Sequence, residues 1–450
     1  MNIKQLRQTI LDRAIRGQLV SQDPTDEPAS VLLERIRAEK EQLIKDKKLK
    51  REKRDNQPIE EIPFEIPEGW VWCRLGEIGE IIGGGTPSTS VEEYWNGEVS
   101  WITPADLSNY SNKYIACGKR NITQLGLENS SATLIPKGGI LFSTRAPIGY
   151  VAIADKPLST NQGFKNLYPF MDISKEFIYY FLLAEKERIK LFASGTTFQE
   201  LSTSVFSKIL ISLPPLAEQH RIVQKIEQLF ALVDIIEVNK KALEKLIEQA
   251  KNQVLSDAIA GKLTRQDPND EPAEELLKRI GKTTAPDTPY EKMLPKGWAC
   301  TEMQVLCQLL DGKKKKGVLH PYLDVGFLRG KTEGSYKENG KYIPKNTHLI
   351  LVDGENSGEI FTTTIEGYQG STLKILNISQ EVNEQFIFYI LRKEQKLFKE
   401  SKTGSAIPHL NKKIFKELIV FLPPLAEQCR IVQKIENYFT EFDKIKNELI

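Results

Sequence analysis

Residue types that could do chemistry occur along this chain, but their spacing fits no familiar catalytic site. The segment Gly326 to Thr332 (GFLRGKT) looks like a phosphate-binding loop, yet three residues separate its glycines where four are needed. The segment Gly334 to Lys341 has five residues between its glycines and no Ser or Thr after the Lys. The loop from Gly83 to Ser88 contains no Lys, so it is more typical of a surface loop than of a nucleotide site.

The other catalytic candidates fail on their surroundings. The Pro-Pro pairs at 214 and 423 follow Leu, without the Asn or Asp that an amino-methyltransferase uses to hold its target amine. Glu394 and Lys396 have nuclease spacing but lack a partnering Asp. The four histidines are scattered and offer no metal site or catalytic triad. The five cysteines form no C-x-x-C pair, so we interpret the cysteines as reduced packing residues. We predict a protein without catalytic residues or a metal site.

Length and charge set the class of protein. The chain has 450 residues and a net charge of +2, which suits two to four domains and offers no bulk attraction for nucleic acid. No apolar run approaches the ~20 residues of a membrane span, and the segment Met1 to Val20 is too polar for a signal peptide. We therefore expect a cytoplasmic protein that makes no contact with a membrane.

Two local basic patches are left as candidates for contact with phosphates. Lys45 to Arg54 (KDKKLKREKR) ends a charged helix that begins near Ser30, and it is either a solvated helix end or a contact for DNA or a partner. Lys313 to Lys316 follow Asp311-Gly312, and we predict a polar loop there whose lysines could reach phosphates.

Internal repeats show which elements must position these residues. LPPLAEQHRIVQKIE at Leu213 to Glu227 returns as LPPLAEQCRIVQKIE at Leu422 to Glu436, an offset of 209 (422 − 213). AIRGQLVSQDPTDEPA at Ala14 to Ala29 returns as AIAGKLTRQDPNDEPA at Ala258 to Ala273, an offset of 244 (258 − 14). The central stretch is thus matched by one that runs off the C-terminus and resumes at the N-terminus. The order of the repeats is therefore circular: one copy of a helix is continuous, and the other copy is divided between the two ends of the chain.

The central copy predicts one long helix, because no Pro or Gly lies between Pro215 and Gly261. Roughly 45 residues at about 1.5 Å each give a rod of about 65 Å. Its apolar residues alternate by steps of four and three, as in a coiled coil, at Ile222, Ile226, Leu229, Val233, Ile236, Leu243, Ile247, Ala250 and Val254. The split copy keeps this rhythm, so we predict two antiparallel helices related by a pseudo-twofold axis. The alternative is two ordinary amphipathic helices on separate domains.

Between the helices lie two diverged copies of one domain, each opened by Pro-x-Gly-Trp (Pro67 to Trp70, Pro295 to Trp298). Their C-terminal halves keep the offset of 209, whereas their N-terminal halves hardly align. Strands are predicted at Val99 to Thr103, Ile140 to Ser143, His348 to Val352 and Glu359 to Thr364, and helices near Lys175 to Phe192 and Val382 to Lys399.

These segments resemble the specificity subunit of type I restriction-modification systems, a host-defence family, over essentially the whole chain. The resemblance rests on the duplicated L-P-P-L-A-E-Q-x-R-I-V-x-K-I-E, on A-I-x-G-x-L…D-P-x-D-E-P-A, on I-P-x-G-W at Ile66 to Trp70, and on G-G-G-T-P-S…Tyr94-Trp95…Trp101-Ile102-Thr103. It implies two target recognition domains that each read one half of an asymmetric, bipartite double-stranded DNA site. It also implies two modification subunits that use S-adenosylmethionine to methylate adenine, and restriction subunits that use ATP and Mg²⁺. The present subunit would carry no cofactor and no chemistry.

The fold class expected is α+β, with two mixed α/β target recognition domains separated by two long antiparallel coiled-coil helices in a pseudo-twofold, circular arrangement. The predicted division is an N-terminal helical region at 1–56, a first target recognition domain at 57–213, a central region with the long helix at 214–293, a second target recognition domain at 294–422 and a C-terminal helix at 423–450. The helices would set the spacer between the two half-sites.

Polar residues at predicted loop positions are the candidates for DNA contact, although each could instead anchor a turn. In the first domain they are Thr86, Ser88, Thr144, Arg145, Asn161, Gln162, Thr196 and Thr197. In the second they are Lys313, Lys314, Lys315, Lys316, Arg329, Lys331, Asn356, Tyr368, Gln369, Ser405 and His409. The pairs Gln162-Gly163 with Gln369-Gly370, and Gly195-Thr196 with Gly404-Ser405, are expected to be shared backbone contacts. Base readers should lie where the copies differ.

The identical helix starts predict a second kind of surface. An exposed stripe facing the modification subunits would comprise Glu218, Gln219, Arg221, Gln224, Glu427, Gln428, Arg430 and Gln433. The alternative is that these residues form a capped, salt-bridged helix start, since identity between copies does not separate folding from docking. Two rival functions also stay open: a coiled-coil scaffold without DNA specificity, and a stand-alone enzyme that binds nucleotide at Gly326 to Thr332.

Overall fold

The computed structural model describes residues 2–49, 59, 61–145, 147–171, 173–194, 200–281, 294–404 and 408–448. The chain divides into two compact units, Met1–Asn239 and Lys240–Ile450. Each unit packs helices against mixed β-sheets, which confirms the α+β class. The finer division into five segments stays a prediction.

The first unit alternates helices with short strands. Its helices are α1 (Ile3–Ile15), α2 (Ala29–Lys45), α3 (Leu75–Ile78), α4 (Gln124–Glu128), α5 (Lys175–Lys190), α6 (Thr203–Ser207) and the first half of α7 (Leu216–Ile259). Its strands are β1 (Val71–Arg74), β2 (Gly79–Gly83), β3 (Trp95–Ile102), β4 (Tyr114–Ile115), β5 (Arg120–Ile122), β6 (Ile140–Ser143), β7 (Val151–Ala154), β8 (Ser159–Thr160), β9 (Phe164–Pro169) and β10 (Leu210–Leu213).

The second unit takes the rest of α7 and follows the same plan. Its further helices are α8 (Ala273–Arg279), α9 (Met303–Leu306), α10 (Val325–Leu328), α11 (Glu384–Lys393), α12 (Gln395–Glu400), α13 (Lys412–Glu417) and α14 (Leu425–Glu448). Its strands are β11 (Ala299–Glu302), β12 (Cys307–Leu310), β13 (Lys313–Leu323), β14 (Ser335–Ile343), β15 (His348–Leu351), β16 (Ile360–Thr362), β17 (Gly367–Gln369), β18 (Leu373–Ile378) and β19 (Ile419–Leu422).

The strand orders of the two units correspond except at two places: among the described residues β4 has no counterpart in the second unit, and β14 also pairs with β17, which closes a small barrel. The sheet β2-β9-β6-β7-β4 of the first unit matches β12-β18-β15-β16, and β5-β3-β8 matches the small barrel of β13, β14 and β17. The N-terminal halves, which hardly align as sequences, therefore share most of their topology. The two halves also keep one parallel strand pairing. In the first unit β3 pairs with β8, with Trp101 opposite Ser159, and in the second unit β13 pairs with β17, with Tyr322 opposite Tyr368.

The predicted long helix is confirmed, because α7 runs unbroken for 44 residues. Predicted strands and helices are also present, although the second predicted helix is split into α11 and α12 at Glu394. The coiled-coil seam is buried at Ile222, Ile226, Val233 and Ile247. It is interrupted at Ile236, which is 39% exposed, so the seam prediction is wrong at that residue.

Within each unit, α7 lies antiparallel to a terminal helix. In the first unit the Ser212 hydroxyl, just before α7, donates to the carbonyl of Ile15 at 2.7 Å, while Arg7 pairs with Asp234 farther along. Residue numbers thus rise along α7 as they fall along α1, so the two helices are antiparallel. In the second unit Lys251 of α7 pairs with Asp443 of α14 at 2.7 Å.

A buried carboxylate joins each helix start to the mixed α/β part of its unit. Trp70 Nε1 donates to Glu218 Oε2 at 2.9 Å, and Gln22 Nε2 donates to Glu218 Oε1 at 3.1 Å. The second unit repeats this contact, with Trp298 donating to Glu427 at 3.0 Å. Burial raises the pKa of Glu218, while the two donors and nearby Arg221 oppose that rise.

A buried glutamine completes the joint. Gln219 accepts the backbone N–H of Ser174 at 3.0 Å and donates to the carbonyl of Pro214 at 3.0 Å. Ser174 is the N-cap of α5, where its hydroxyl accepts the N–H of Phe177 at 3.1 Å. Gln428 makes the same pair of bonds to Asn383, the N-cap of α11, and to Pro423. Each long helix is thereby held against the first turn of a core helix of its own unit.

Replacement Glu218→Ala should lower the free energy of unfolding by about 2 kcal/mol, because it leaves the Trp70 and Gln22 donors without an acceptor in a buried place. Urea unfolding of the full chain followed by circular dichroism measures this change. The matched control Gln224→Ala removes an exposed residue of the same helix and should stay within about 0.5 kcal/mol of the unaltered chain. Equal losses in both variants would contradict the anchoring role of the carboxylate.

Candidate nucleic-acid interface

The prediction of an exposed stripe at the helix starts is wrong for half of its members. The residues concerned are 1% exposed or less, and their polar atoms are used inside the chain: Glu218, Gln219, Glu427 and Gln428. They are identical between the copies because both copies need the same joint. Identity alone could not separate this role from docking.

The arginines of that stripe are also paired within the chain. Arg221 makes a bidentate contact with Asp26, with a shorter distance of 2.6 Å, and Arg430 contacts Asp270 in the same way at 2.6 Å. The hydrogen bond to Asp26 raises the pKa of Arg221, which fixes its positive charge. Gln224 and Gln433 are exposed, and their contact with a partner subunit stays a prediction.

A cleft of about 500 Å³ in the first unit brings three predicted DNA contacts together. It lies between the turn after β3, the loop after β6 and the loop after β8. The predicted residues in it are Arg145, Asn161 and Gln162, and the other lining residues are Thr103, Pro104, Ala105, Ser108, Pro147, Tyr150 and Gly163. A concave site with amide and guanidinium groups suits the edge of a base or a phosphate.

Hydrogen bonds hold the two amides of this cleft in place. The Oδ1 atom of Asn161 accepts the N–H of Gly163 at 2.9 Å, and the Thr86 hydroxyl donates to Gln162 Oε1. The NH₂ groups of both amides have no hydrogen-bond partner among the residues that the structure describes. They are donors available to a ligand, and Asn and Gln are side chains that commonly read adenine.

Two other candidates of the first unit differ in exposure. Ser88 is exposed, and its hydroxyl lies 2.8 Å from that of Ser90. Thr144 is fully buried and donates to the carbonyl of Gly163 at 3.2 Å, so its prediction as a DNA contact is wrong. It is a loop anchor that fixes the loop carrying Arg145. Thr196 and Thr197 lie outside the described residues.

The four lysines Lys313 to Lys316 lie on strand β13 rather than in a loop, which corrects that prediction. They pair in register with Tyr342, Lys341, Gly340 and Asn339 of β14. Lys315 packs over the Tyr342 ring with its Nζ 4.2 Å from the ring centroid, and the same atom lies 3.1 Å from His320 Nε2. The other three lysines are exposed.

Tyr368 and Gln369 were also predicted to contact DNA, and burial shows both to be wrong. Tyr368 is 1% exposed, and its hydroxyl donates to the carbonyl of Val318 at 2.7 Å. Gln369 is 5% exposed and donates to Asp311 Oδ1 at 3.0 Å while accepting the N–H of Gly312 at 2.7 Å. Both hold the small barrel together.

The register also corrects the predicted equivalence of Gln162-Gly163 with Gln369-Gly370. The N–H of Asn161 donates to the carbonyl of Ile102, and that of Gly370 donates to Leu323 in the corresponding place. Gly370 is therefore the counterpart of Asn161, and Gln369 is the counterpart of Thr160. The other predicted pair includes Gly195, Thr196 and Ser405, which lie outside the described residues.

The remaining candidates of the second unit sit at its loops. Arg329 makes a two-point ion pair with Glu359, while Lys331 is exposed and Asn356 is partly exposed. Ser405 lies outside the described residues. His409 is exposed and its Nδ1 lies 2.7 Å from Asp353 Oδ1.

The contact between His409 and Asp353 has a counterpart in the first unit in which the acidic and basic residues exchange places. Arg145 pairs with Glu200 at 2.9 Å, and both pairs join the loop after a central strand to the residue before a buried Leu. The backbone agrees, because Leu201 donates to Thr144 and Leu410 donates to Val352. In the first unit the acid, Glu200, lies on the segment that the loop contacts. In the second unit the acid, Asp353, lies on the loop itself. Equivalent loops thus present opposite charges.

Sequence reasoning missed several residues at these surfaces. Thr103 and Tyr150 line the cleft, and Arg120 stacks 3.7 Å from the centroid of the Trp95 ring. Val318 and Leu319 are exposed on β13. Thr103 belongs to the motif Trp101-Ile102-Thr103, but that motif does not mark it as a cleft residue; Arg120, Tyr150, Val318 and Leu319 lie in no motif, since their positions come from strand pairing and not from spacing in the chain.

The part of the chain that the structure describes has neither a metal site nor a membrane span. No group of three or more His, Cys, Asp or Glu side chains there is placed to hold a metal ion. No helix among them is long and apolar enough to cross a bilayer.

Comparisons with known proteins agree with one another. The family described as type I restriction modification DNA specificity domain matches residues 67–245 and 307–450. The MjaIX type I restriction enzyme specificity subunit of Methanocaldococcus jannaschii is 30% identical over 410 residues, 85% of this chain and 89% of that protein. The EcoEI specificity subunit of Escherichia coli is 27% identical over 99% of this chain and 91% of that protein.

Solved structures show the same fold. A chain from a type I restriction-modification system, solved to explain complex assembly and conformational transition, matches with a TM-score of 0.58 and 18% identity, covering 86% of this chain and 94% of that one. The HsdS subunit of Thermoanaerobacter tengcongensis matches with a TM-score of 0.53 and 19% identity, covering 86% of this chain and 93% of that one. With its two diverged domains on a duplicated joint, this chain belongs to the type I restriction-modification DNA specificity family.

Proposed function

We propose that this chain is the DNA-recognition subunit of a type I restriction-modification complex and that each unit reads one half of an asymmetric, bipartite site. One observation carries the proposal: two domains of closely similar topology stand on equivalent joints but present different side chains at equivalent surface positions. Arg145 in the first unit corresponds to Asp353 in the second. A domain pair that read two identical half-sites would keep such residues the same.

The helices take the role of a spacer in this proposal. Helix α7 supplies residues to both units and is 44 residues long, so at about 1.5 Å per residue it spans about 65 Å. Two readers on one face of a duplex need half-site centres about 34–36 Å apart, or a multiple of that distance. The helix length would therefore fix the number of unread base pairs between the half-sites.

The chemistry would belong to partner subunits. Modification subunits would bring S-adenosylmethionine and methylate adenine, and restriction subunits would bring ATP and Mg²⁺. The exposed pair Gln224 and Gln433, at the same place on the two helix starts, supports two identical docking contacts. A scaffold without DNA specificity is the rival function, and it predicts no methylation pattern.

Co-expression with the modification subunit in a host free of methylation, followed by mapping of N6-methyladenine, tests the function directly. We expect a split asymmetric motif with a fixed gap. A stable complex that methylates no defined motif would leave the scaffold as the better account.

A chain in which residues 294–422 are replaced by a second copy of residues 57–213 should change the motif in a defined way. Because two identical readers would then face the DNA, the methylated sequence should become an interrupted palindrome built from one half of the original motif. The unaltered chain is the control, and the same mapping measures both. Retention of the original asymmetric motif would contradict the assignment of one half-site to each domain.

Replacement Arg145→Ala should weaken DNA binding by the assembled complex and lower the salt slope of binding by about one, because one cationic contact with phosphate is lost. The control Lys137→Ala removes an exposed cation that pairs with Asp155 outside the cleft. Fluorescence anisotropy at several salt concentrations gives both slopes. An unchanged slope with altered base preference would instead make Arg145 a base reader.

Double replacement Gln224→Arg with Gln433→Arg should reduce binding of the modification subunit at least tenfold, because two bulky charges enter the predicted contacts. Size-exclusion chromatography with light scattering measures how many modification subunits are bound. The control Gln124→Arg places the same charge on the exposed helix α4 of the first domain. A retained two-to-one complex would exclude docking at these glutamines.

A further inference from the structure

Strand β13 carries a bulge whose side chains face solvent. Lys316 pairs with Asn339, and His320 pairs with Lys337, so Gly317, Val318 and Leu319 stand opposite Glu338 alone. Extra residues in one strand are pushed out of the ladder and bend the strand. We call these three residues the β13 bulge.

The tip of the β13 bulge is apolar and exposed. Val318 is 40% exposed and Leu319 is 63% exposed, although the surrounding strand is rich in lysine. Single apolar residues are common on protein surfaces, but here two adjacent ones project from a bulge within a cationic ribbon. This combination suits a ligand with an apolar interior and an anionic exterior.

The base of the bulge is firmly held. The buried Tyr368 hydroxyl shares its one proton between the carbonyl of Val318 at 2.7 Å and that of Glu338 at 3.1 Å. The N–H of Gly317 donates to Asn339 Oδ1 at 3.2 Å. A Cβ on Gly340 would lie 2.6 Å from the Tyr368 ring, so that ring fits only beneath a glycine. The apolar tip therefore stands on a rigid support.

Three lysines of the ribbon around the bulge carry positive charge without an acidic partner, although the exposed Glu338 stands opposite the bulge. Among the described residues, Lys313, Lys314 and Lys316 have no carboxylate within ion-pair distance. Lys341, directly opposite Lys314, is instead held by Asp311 at 3.0 Å. The three unpaired lysines are therefore the charges of this ribbon that a polyanion can bind.

The first unit has a bulge at the corresponding place, with different chemistry. Trp95 and Val99 both pair with Ile122, so Asn96, Gly97 and Glu98 stand outside the ladder. Ladder pairing resumes two residues before the parallel contact in both units, at Val99 before Trp101 and at His320 before Tyr322. The first residue of the bulge has a positive φ in both, 64° at Asn96 and 71° at Gly317. The exposed acid Glu98 makes the first bulge unsuited to phosphate.

We propose that the β13 bulge is an apolar wedge that enters the minor groove of the DNA, where Leu319 inserts between two base pairs while Lys314 and Lys316 contact flanking phosphates. Minor-groove proteins use aliphatic side chains in this way and kink the duplex. The inference rests on the proposed function and assigns this contact to the second unit alone. Since flexible pyrimidine–purine steps kink most easily, the wedge selects such a step without hydrogen bonds to its bases.

The test uses the complete complex with its modification subunits and a duplex that carries the mapped motif. 2-Aminopurine, whose fluorescence rises when it unstacks, is placed in turn at each step in and beside the half-site of the second unit. We expect a rise at one step with the unaltered chain. Leu319→Ala should abolish that rise and weaken binding about tenfold, the effect of losing one well-packed apolar contact. The control Leu310→Ala alters another exposed leucine of the unit and should change neither reading.

Two further variants separate the parts of the wedge. Lys316→Ala should lower the salt slope of binding by about one while the fluorescence rise remains. The exchange Gly317→Asn, Val318→Gly, Leu319→Glu installs the bulge of the first unit, keeps a residue that tolerates positive φ, and should abolish the rise.

The outcomes distinguish the wedge from the proposed function. No fluorescence rise at any step, or an unchanged rise with Leu319→Ala, overturns the wedge while specific binding still upholds the function. A complex that recognises no motif at all refutes the function itself. If Leu319→Ala releases the modification subunit on size-exclusion chromatography, the bulge is a protein contact and the proposal is wrong.

Discussion

The rest of the structure depends on a carboxylate buried at the start of each long helix. Glu218 is 1% exposed and Glu427 is fully buried, and each receives the indole N–H of a tryptophan that opens a recognition domain. A buried acceptor of this kind cannot lose its donors without a cost of about 1–3 kcal/mol, so the helix and the domain are held in one orientation. The neighbouring glutamines extend this hold to the first turns of α5 and α11. Positions on the surface of each domain are thereby fixed relative to its helix.

The joints between helix and domain are equivalent in the two units, whereas the side chains on the domain surfaces differ. Equivalent loops are closed by Arg145 with Glu200 in one unit and by Asp353 with His409 in the other. The loop geometry is kept, while the charge that the loop itself offers to a ligand changes sign. The β13 bulge follows the same logic, because one backbone irregularity carries Asn-Gly-Glu in the first unit and Gly-Val-Leu in the second. Recognition thus changes through side chains on a backbone that stays the same.

Sequence reasoning could predict the elements with strong local signals and failed where pairing decides the outcome. Helix α7 and strand β6 follow from breakers and from β-branched runs, so both were predicted almost to the residue. Lys313 to Lys316 were predicted to form a loop because they follow Asp311-Gly312, whereas pairing with β14, packed over Tyr368 beneath Gly340, makes them a strand. Thr144 and Gln369 were predicted as contacts since polar loop residues look alike whether they face a ligand or a carbonyl. Burial of a polar side chain depends on the tertiary fold, which spacing along the chain does not reveal.

The strands that bound each recognition domain have a consequence for how such proteins change over generations. Val71 lies opposite Leu213 in β1 and β10, and Ala299 lies opposite Leu422 in β11 and β19, so each domain leaves and rejoins the frame at neighbouring points. A whole domain can therefore be traded as a cassette without stretching the helices. The near-identical stretches that follow Leu213 and Leu422 would give homologous recombination matching ends at which to cut and rejoin the gene. A single crossover at such an end could then create a new specificity in one step, with no intermediate that fails to fold.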